Sequence, residues 1–247
     1  NSSTNTELAE QCVWGLGNIA GDCPGLRDAC LECGALEALL RHASADAGTI
    51  SIGRNATWAA SNLCRGFPPP AAAAVLPAAP VFCALVRCHT DTEIVTDALW
   101  GLGYLSRAGA LHAAAVVEAG GVPALLAPLS SSQGTLREPA LYAMVGLTPF
   151  VTAELELLHR VLDAILIGLD DASLEPQNAM ETLMHFVRHA NTLRDAALMG
   201  NAVARYVASR HALEPLWRLA QEGGLGRGSI KAAGMAAELL ELMVGGG

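Results

Sequence analysis

The chain has 247 residues, enough to bury a core either as one domain or as an elongated array. Apolar residues make up 52% of it, aromatics 4% and charged residues 16%, so its hydrophobic content is mostly Ala, Leu and Val, a composition suited to closely packed helices. A formal net charge of −9 argues against nucleic acid and anionic membrane surfaces as partners and favours basic ones. The longest apolar stretch, "AAAAVLPAAPVFCALV" at 71–86, is too short and too broken by proline to span a bilayer. The polar opening "NSSTNTELAE" has no signal-peptide pattern. Seven cysteines, an odd number set inside apolar patterns, read as free thiols of a reducing, intracellular compartment.

In chain order, the first predicted helix covers 5–22 and ends in "EQCVWGLGNIAGD" (10–22). "PGLRDACLECG" (24–34) is a short helix closed by Gly34, a natural residue for the left-handed position after a helix. "ALEALLRHAS" (35–44) places Leu36, Leu39 and Leu40 on one face, at i, i+3 and i+4. After the break "ADAG", a longer helix runs from about Ile50 to Arg65 and holds "RNATWAASNLCRG". The plan then repeats as Pro77–His89 and Thr92–Ser106, the latter inside "TDALWGLGYLSRA" (96–108), and as Leu111–Ala119, "GGVPALLAPLSSS" and Thr135–Phe150. Beyond 150 the pattern loosens, although "LEPQNAMETLMHFVRHA" and "SIKAAGMAAELLELMV" still read as long helices.

Trp14, Trp58 and Trp100 stand 44 and 42 residues apart, and Tyr142 follows 42 residues later. A helical period of this length is the signature of armadillo or HEAT arrays. The predicted fold is all-α, an armadillo-repeat right-handed superhelical solenoid with three helices per repeat. It spans 1–247 as one solenoid, with a partial first repeat at 5–22 and repeats at about 24–66, 72–108, 110–150, 153–190 and 193–244. The chain opens inside a repeat, without the first two helices that would cover it, so a fragment or shortened relative is expected.

Residues at i and i+4 share a helix face. Trp14/Asn18, Trp58/Asn62 and Trp100/Tyr104 therefore form rows on consecutive third helices. Packed helices lie about 8–10 Å apart and an extended peptide advances about 3.3 Å per residue, so one repeat spans about three residues of ligand. Indole faces make slots for Lys or Arg stems, each with a cation–π contribution of about 0.5–2 kcal/mol. The Asn amide carries the donor and acceptor needed to clasp a peptide-backbone unit. Carboxylates at the slot ends, notably Asp22 and Asp97, can meet the cationic heads. Small neighbours of the indoles, Gly15, Ala59 and Gly101, are read as shaping the slots.

At these residues the sequence resembles a known family. "EQCVWGLGNIAGD", "RDACLECGALEALL", "RNATWAASNLCRGFPPP" and "TDALWGLGYLSRA" closely resemble the third, fourth and fifth armadillo repeats of importin-α, the adaptor for nuclear localisation signals. The strong match covers about 10–130. The resemblance implies a concave groove that accepts a short Lys/Arg-rich signal of a cargo protein. It makes Trp14 and Trp58 slot walls, Asn18 and Asn62 backbone clasps, Gln11 a support for the peptide chain and Asp22 the partner of the most buried lysine. Arg54, Asp97, Trp100 and Tyr104 would line the neighbouring part of the groove. The implied function is that of a nuclear import adaptor module of cytoplasm and nucleus. The import receptor (importin-β) and the export receptor would be reached through parts absent or divergent here. The family's preceding repeat and its basic N-terminal arm have no match in the sequence, and Tyr142/Gly146 and Glu181/His185 stand where a second Trp/Asn ladder would need its pairs. The alternative is a divergent armadillo scaffold that binds another protein without transport activity.

Other motifs carry less. "GLGNIAG" (15–21) lacks the spacing and the preceding strand of a dinucleotide fingerprint. Cys30/Cys33 and His185/His189 lack the further ligands of a metal site. "NAT" (55–57) matches a glycosylation acceptor but falls within a helix. No nucleophile–base arrangement is readable, so neither an enzyme nor a bound cofactor is expected.

Overall fold

The computed structural model describes residues 2–44, 49–170, 176–192, 196–210, 213–221 and 230–245, and every regular element among them is an α-helix. The predicted break at 45–48 lies outside these residues, as do 193–195, 211–212 and 222–229 of the last predicted repeat. The chain divides into two compact units, Asn1–Leu125 and Leu126–Gly247.

The first unit begins with α1 (Ser2–Asp22), followed by α2 (Pro24–Glu32), α3 (Ala35–Ala43) and α4 (Ile50–Cys64). The four-residue α5 (Ala72–Val75) precedes α6 (Ala78–Cys88), α7 (Thr92–Ala108) and α8 (Ala110–Glu118). The long helices α1, α4 and α7 pack side by side in that order, with α3 against α4 and α6 against α7. Local chemistry sets the boundaries. Pro24 opens α2, where its missing N–H costs nothing, and Gly34 takes φ +76° between α2 and α3, the left-handed turn expected of it. Asp91 caps α7 by accepting from the Ile94 N–H at 3.1 Å. Leu36, Leu39 and Leu40 are buried as their spacing predicts, and Ala56, Ala59, Ala60 and Ala98 are fully buried, so small side chains let the long helices approach closely.

In the second unit α10 (Gly134–Val151), α12 (Pro176–Thr192) and α15 (Ile230–Gly245) pack in succession, with α11 (Leu155–Asp170), α13 (Ala196–Ser209) and α14 (Leu213–Gln221) around them. The helix α9 (Gly121–Leu129) spans the division between the units. On the surface Tyr206 donates to Asp163 at 2.9 Å, Arg210 donates to the same carboxylate at 2.8 Å, and the His159 ring stacks on Tyr206 at 3.8 Å.

Buried polar side chains tie backbone ends together. Arg27 on α2 is 1% exposed and donates from Nη1 to the carbonyls of Arg65 (2.9 Å) and Pro68 (2.8 Å), and from Nε to Asp28 (2.8 Å). Its Nη2 lies 2.8 Å from Asp28 Oδ1, close enough to pair by charge but without hydrogen-bond alignment. From the other side, His112 Nε2 lies 3.1 Å from the Pro70 carbonyl, a bond made when Nε2 carries the proton. Removing the Arg27 guanidinium strands two backbone acceptors, each at about 1–3 kcal/mol. Arg27→Met should therefore lower the stability of the first unit by about 2–5 kcal/mol, read as a drop in the thermal or urea midpoint. An unchanged midpoint would show that water replaces the clamp without penalty.

Candidate functional site

The side-by-side packing of α1, α4 and α7 brings the three rows together within the first unit. Gln11, Trp14, Asn18 and Asp22, at intervals of three or four residues, project from α1, and all four are exposed, Trp14 by 53%. Asn18 donates from Nδ2 to the Trp14 carbonyl of its own helix at 3.1 Å. On α4, Trp58 is half-buried and Asn62 is buried at 5% exposure. The Asn62 amide is therefore no free-standing surface group, since it donates to the Gly17 carbonyl of α1 at 3.2 Å. On α7, Trp100 and Tyr104 stack with ring centroids 6.0 Å apart and planes 23° from parallel.

Arg54 is the one cation among the expected site residues, and its charge is already met. Its Nη2 lies 2.7 Å from Asp91 and its Nη1 2.9 Å from Glu93. The hydrogen bond to Asp91 raises the guanidinium above its ordinary range and holds the Asp91 carboxyl below its own. A guanidinium neutralised by two carboxylates presents little repulsion to a basic ligand. Asp97 is the opposite case. It is half-buried, with no cation in ion-pair reach among the described residues, and desolvation, followed by the nearby Glu93 charge, pushes its carboxyl up to about 7. A carboxylate in that setting has its charge uncompensated and gains from an incoming ammonium or guanidinium.

The glycines differ from the sequence expectation. A side chain on Gly15 would meet open space, and one on Gly101 would lie 2.4 Å from the Phe82 ring of α6, so Gly101 shapes the core rather than a slot. The close approach that matters is at Gly17, where a Cβ would lie 2.3 Å from Trp58 Cζ3. Gly17 and Gly21 belong to "GLGNIAG", whose reading in the sequence does not reach their contacts with α4 or the bond that Arg65 donates to the Gly21 carbonyl at 2.9 Å. Two glycines four apart inside one helix were the available signal. In the second unit Tyr142 is half-buried on α10 and Glu181 exposed on α12, where the period places them.

These helices and their packing define an armadillo-type fold. The Armadillo/beta-catenin-like repeat family matches residues 68–107. Two designed armadillo repeat proteins superpose with TM-scores of 0.76 and 0.70 at 18% identity, covering 95% and 93% of this chain and 92% and 91% of theirs; the second was solved in complex with the peptide (KR)4. Among natural proteins, importin subunit alpha-2 of Arabidopsis thaliana is 46% identical over 125 residues, which is 51% of this chain and 23% of that protein. Importin subunit alpha-1a of Oryza sativa subsp. japonica is 37% identical over 166 residues, 66% of this chain and 31% of that protein. The chain has an armadillo-repeat fold, and over about half of its length it is similar to the importin α subunits, spanning about a quarter of the length of the relatives it matches.

Asp97 gives the site a pH dependence with a definite sign. Its carboxyl is raised from the usual 3.8 to about 7 in the folded state, so the stability associated with its proton is present below about pH 4 and is lost as pH rises through 7. Asp97→Asn should flatten this part of the stability profile, making the variant more stable relative to the parent at pH 8 than at pH 4. Urea midpoints at the two pH values check this, and a constant difference between the proteins would contradict it.

Proposed function

We propose that the face formed by α1, α4 and α7 binds Lys/Arg-rich linear peptides and that the chain is a nuclear import adaptor module, acting in cytoplasm and nucleus. The observation that carries this reading is the pairing of a half-buried carboxylate, Asp97, with a row of indoles on adjacent helices, while the one cation among the expected site residues, Arg54, is already neutralised. Such a face attracts a cation and offers apolar walls for its stem. The importin α relatives and the designed repeat protein in complex with (KR)4 support the same ligand chemistry. Under this reading Gln11, Asn18 and Asn62 serve the peptide backbone, Trp14, Trp58, Trp100 and Tyr104 wall the slots, and Asp22 and Asp97 receive the cationic heads. The repeat division at about 24–66, 72–108, 110–150, 153–190 and 193–244 belongs to the same proposal. The rival reading, an armadillo scaffold for another protein partner, shares the fold and predicts no preference for basic peptides.

Calorimetry with a lysine-rich peptide and a scrambled acidic control separates the two. Binding of the basic peptide should weaken with added salt, because the slots are exposed, and should strengthen from pH 6 to pH 8 as Asp97 loses its proton. Asn18→Ala is the clean test of the clasp, since Asn62 also bonds to α1. Equal binding of basic and acidic peptides sinks the adaptor reading.

Valency follows from the rows. Because α10 and α12 carry Tyr142/Gly146 and Glu181/His185, a second basic cluster on the same peptide finds no equivalent pocket. A two-cluster peptide should therefore bind with one site per chain and nearly the affinity of the single cluster, at about micromolar strength. A gain of about tenfold or more would require a second pocket.

A further inference from the structure

The least expected contact on the candidate face lies between α1 and α4. A Cβ at Gly17 would stand 2.3 Å from Cζ3 and 2.7 Å from Cε3 of Trp58, and 3.0 Å from the Ala59 Cβ. One turn further on, a Cβ at Gly21 would stand 3.0 Å from Asn62 Nδ2. The same two glycines supply acceptors: Asn62 donates to the Gly17 carbonyl at 3.2 Å, and Arg65 donates to the Gly21 carbonyl at 2.9 Å. Trp58 and Asn62 of α4, and Arg65 just after its end, are thus seated on one bare strip of α1. Glycine inside a helix is unfavourable relative to alanine, so two of them, one turn apart, are explained by the close approach they permit. The neighbouring Gly15, with nothing within 4 Å, has no such contact.

We infer that Gly17 and Gly21 are positioning residues for the groove: the strip they leave on α1 fixes where the Trp58 indole, the Asn62 amide and the Arg65 guanidinium stand. This inference rests on the peptide-binding reading for its consequence, but the seat itself does not. At the next step along the unit, Ser61 occupies the position on α4 that Gly17 holds on α1, 44 residues earlier. Ser61 is buried and donates to the Trp58 carbonyl at 2.8 Å. Trp100 stacks on Tyr104 of its own helix.

The test uses the full chain and two readouts. In a variant whose only tryptophan is Trp58, with Trp14, Trp100 and Trp217 replaced by Phe, Gly17→Ala should red-shift the emission and increase iodide quenching, and Gly15→Ala should change neither. In the parent background, Gly17→Ala should weaken binding of a lysine-rich peptide by about two- to thirtyfold, the range of one lost wall. In a Trp58→Phe background, where the Cε3–Cζ3 edge is gone, the same change should have little further effect, a non-additive cycle. Unchanged Trp58 emission in Gly17→Ala overturns the seat. An equal affinity loss in both backgrounds means that Gly17 does not act through Trp58, which also overturns it. If Gly17→Ala fails to fold, recovery of the helical signal in Gly17→Ala/Trp58→Phe supports the seat and its absence overturns it. Should the parent not bind the peptide at all, the proposed function fails while the fluorescence still decides the seat.

Discussion

The candidate face depends on how closely α4 can approach α1. A packed helix pair is usually held apart by the side chains between the two backbones, and the polar groups at its rim are then left to solvent. Here the bare backbone at Gly17 and Gly21 removes that spacer, so an indole of α4 lies against α1 while the Asn62 amide of α4 and the Arg65 guanidinium just beyond its end reach the α1 carbonyls. The spacing and orientation of the Trp58 slot, and the burial of Asn62, are consequences of this single approach. The flanking step from α4 to α7 uses an ion-pair arrangement, with Arg54 of α4 held by Asp91 and Glu93 at the start of α7.

Charge is distributed over the face with the same economy. Arg54 is neutralised by two carboxylates, one of which also serves the backbone, since Asp91 caps α7 while binding the guanidinium. Asp97, with no cation in ion-pair reach among the described residues, lies farther along the same helix, next to the Trp100/Tyr104 stack in sequence. One rim of the face is internally balanced and the other is short of a positive charge. A cationic ligand is the simplest group to make up that deficit, and a protein of net charge −9 attracts such ligands from a distance.

Much of the fold was legible in the sequence because helical periodicity and the 44- and 42-residue intervals of Trp repeat without ambiguity. Gly34 and the buried face of α3 followed from local rules alone. The exposed row on α1 was equally readable, since i, i+4 spacing fixes a shared face whatever packs behind it. Illegible were the contacts that depend on the rotation of one helix against another. Periodicity places Asn62 beside Trp58 but does not say that its amide turns into Gly17, nor that Gly101 faces Phe82 rather than a slot. Arg27 looked like an ordinary charged residue of a short helix, because the carbonyls it satisfies are 38 and 41 residues away.

The loop that follows α4 has a property of its own. Its carbonyls at Arg65 and Pro68 are grasped by Arg27 from the helix pair before it, and that at Pro70 is met by His112 from the helix after α7. A segment six residues long is thereby shared between partners 85 positions apart in the chain. In most repeat arrays each module speaks only to its neighbour, and melting can begin at one end and travel. Here the loop is bonded from both directions, and release of either side costs it the hydrogen bonds made from that side. The loop thus ties together helices that are not neighbours in the array, a coupling that works against fraying of the first unit module by module.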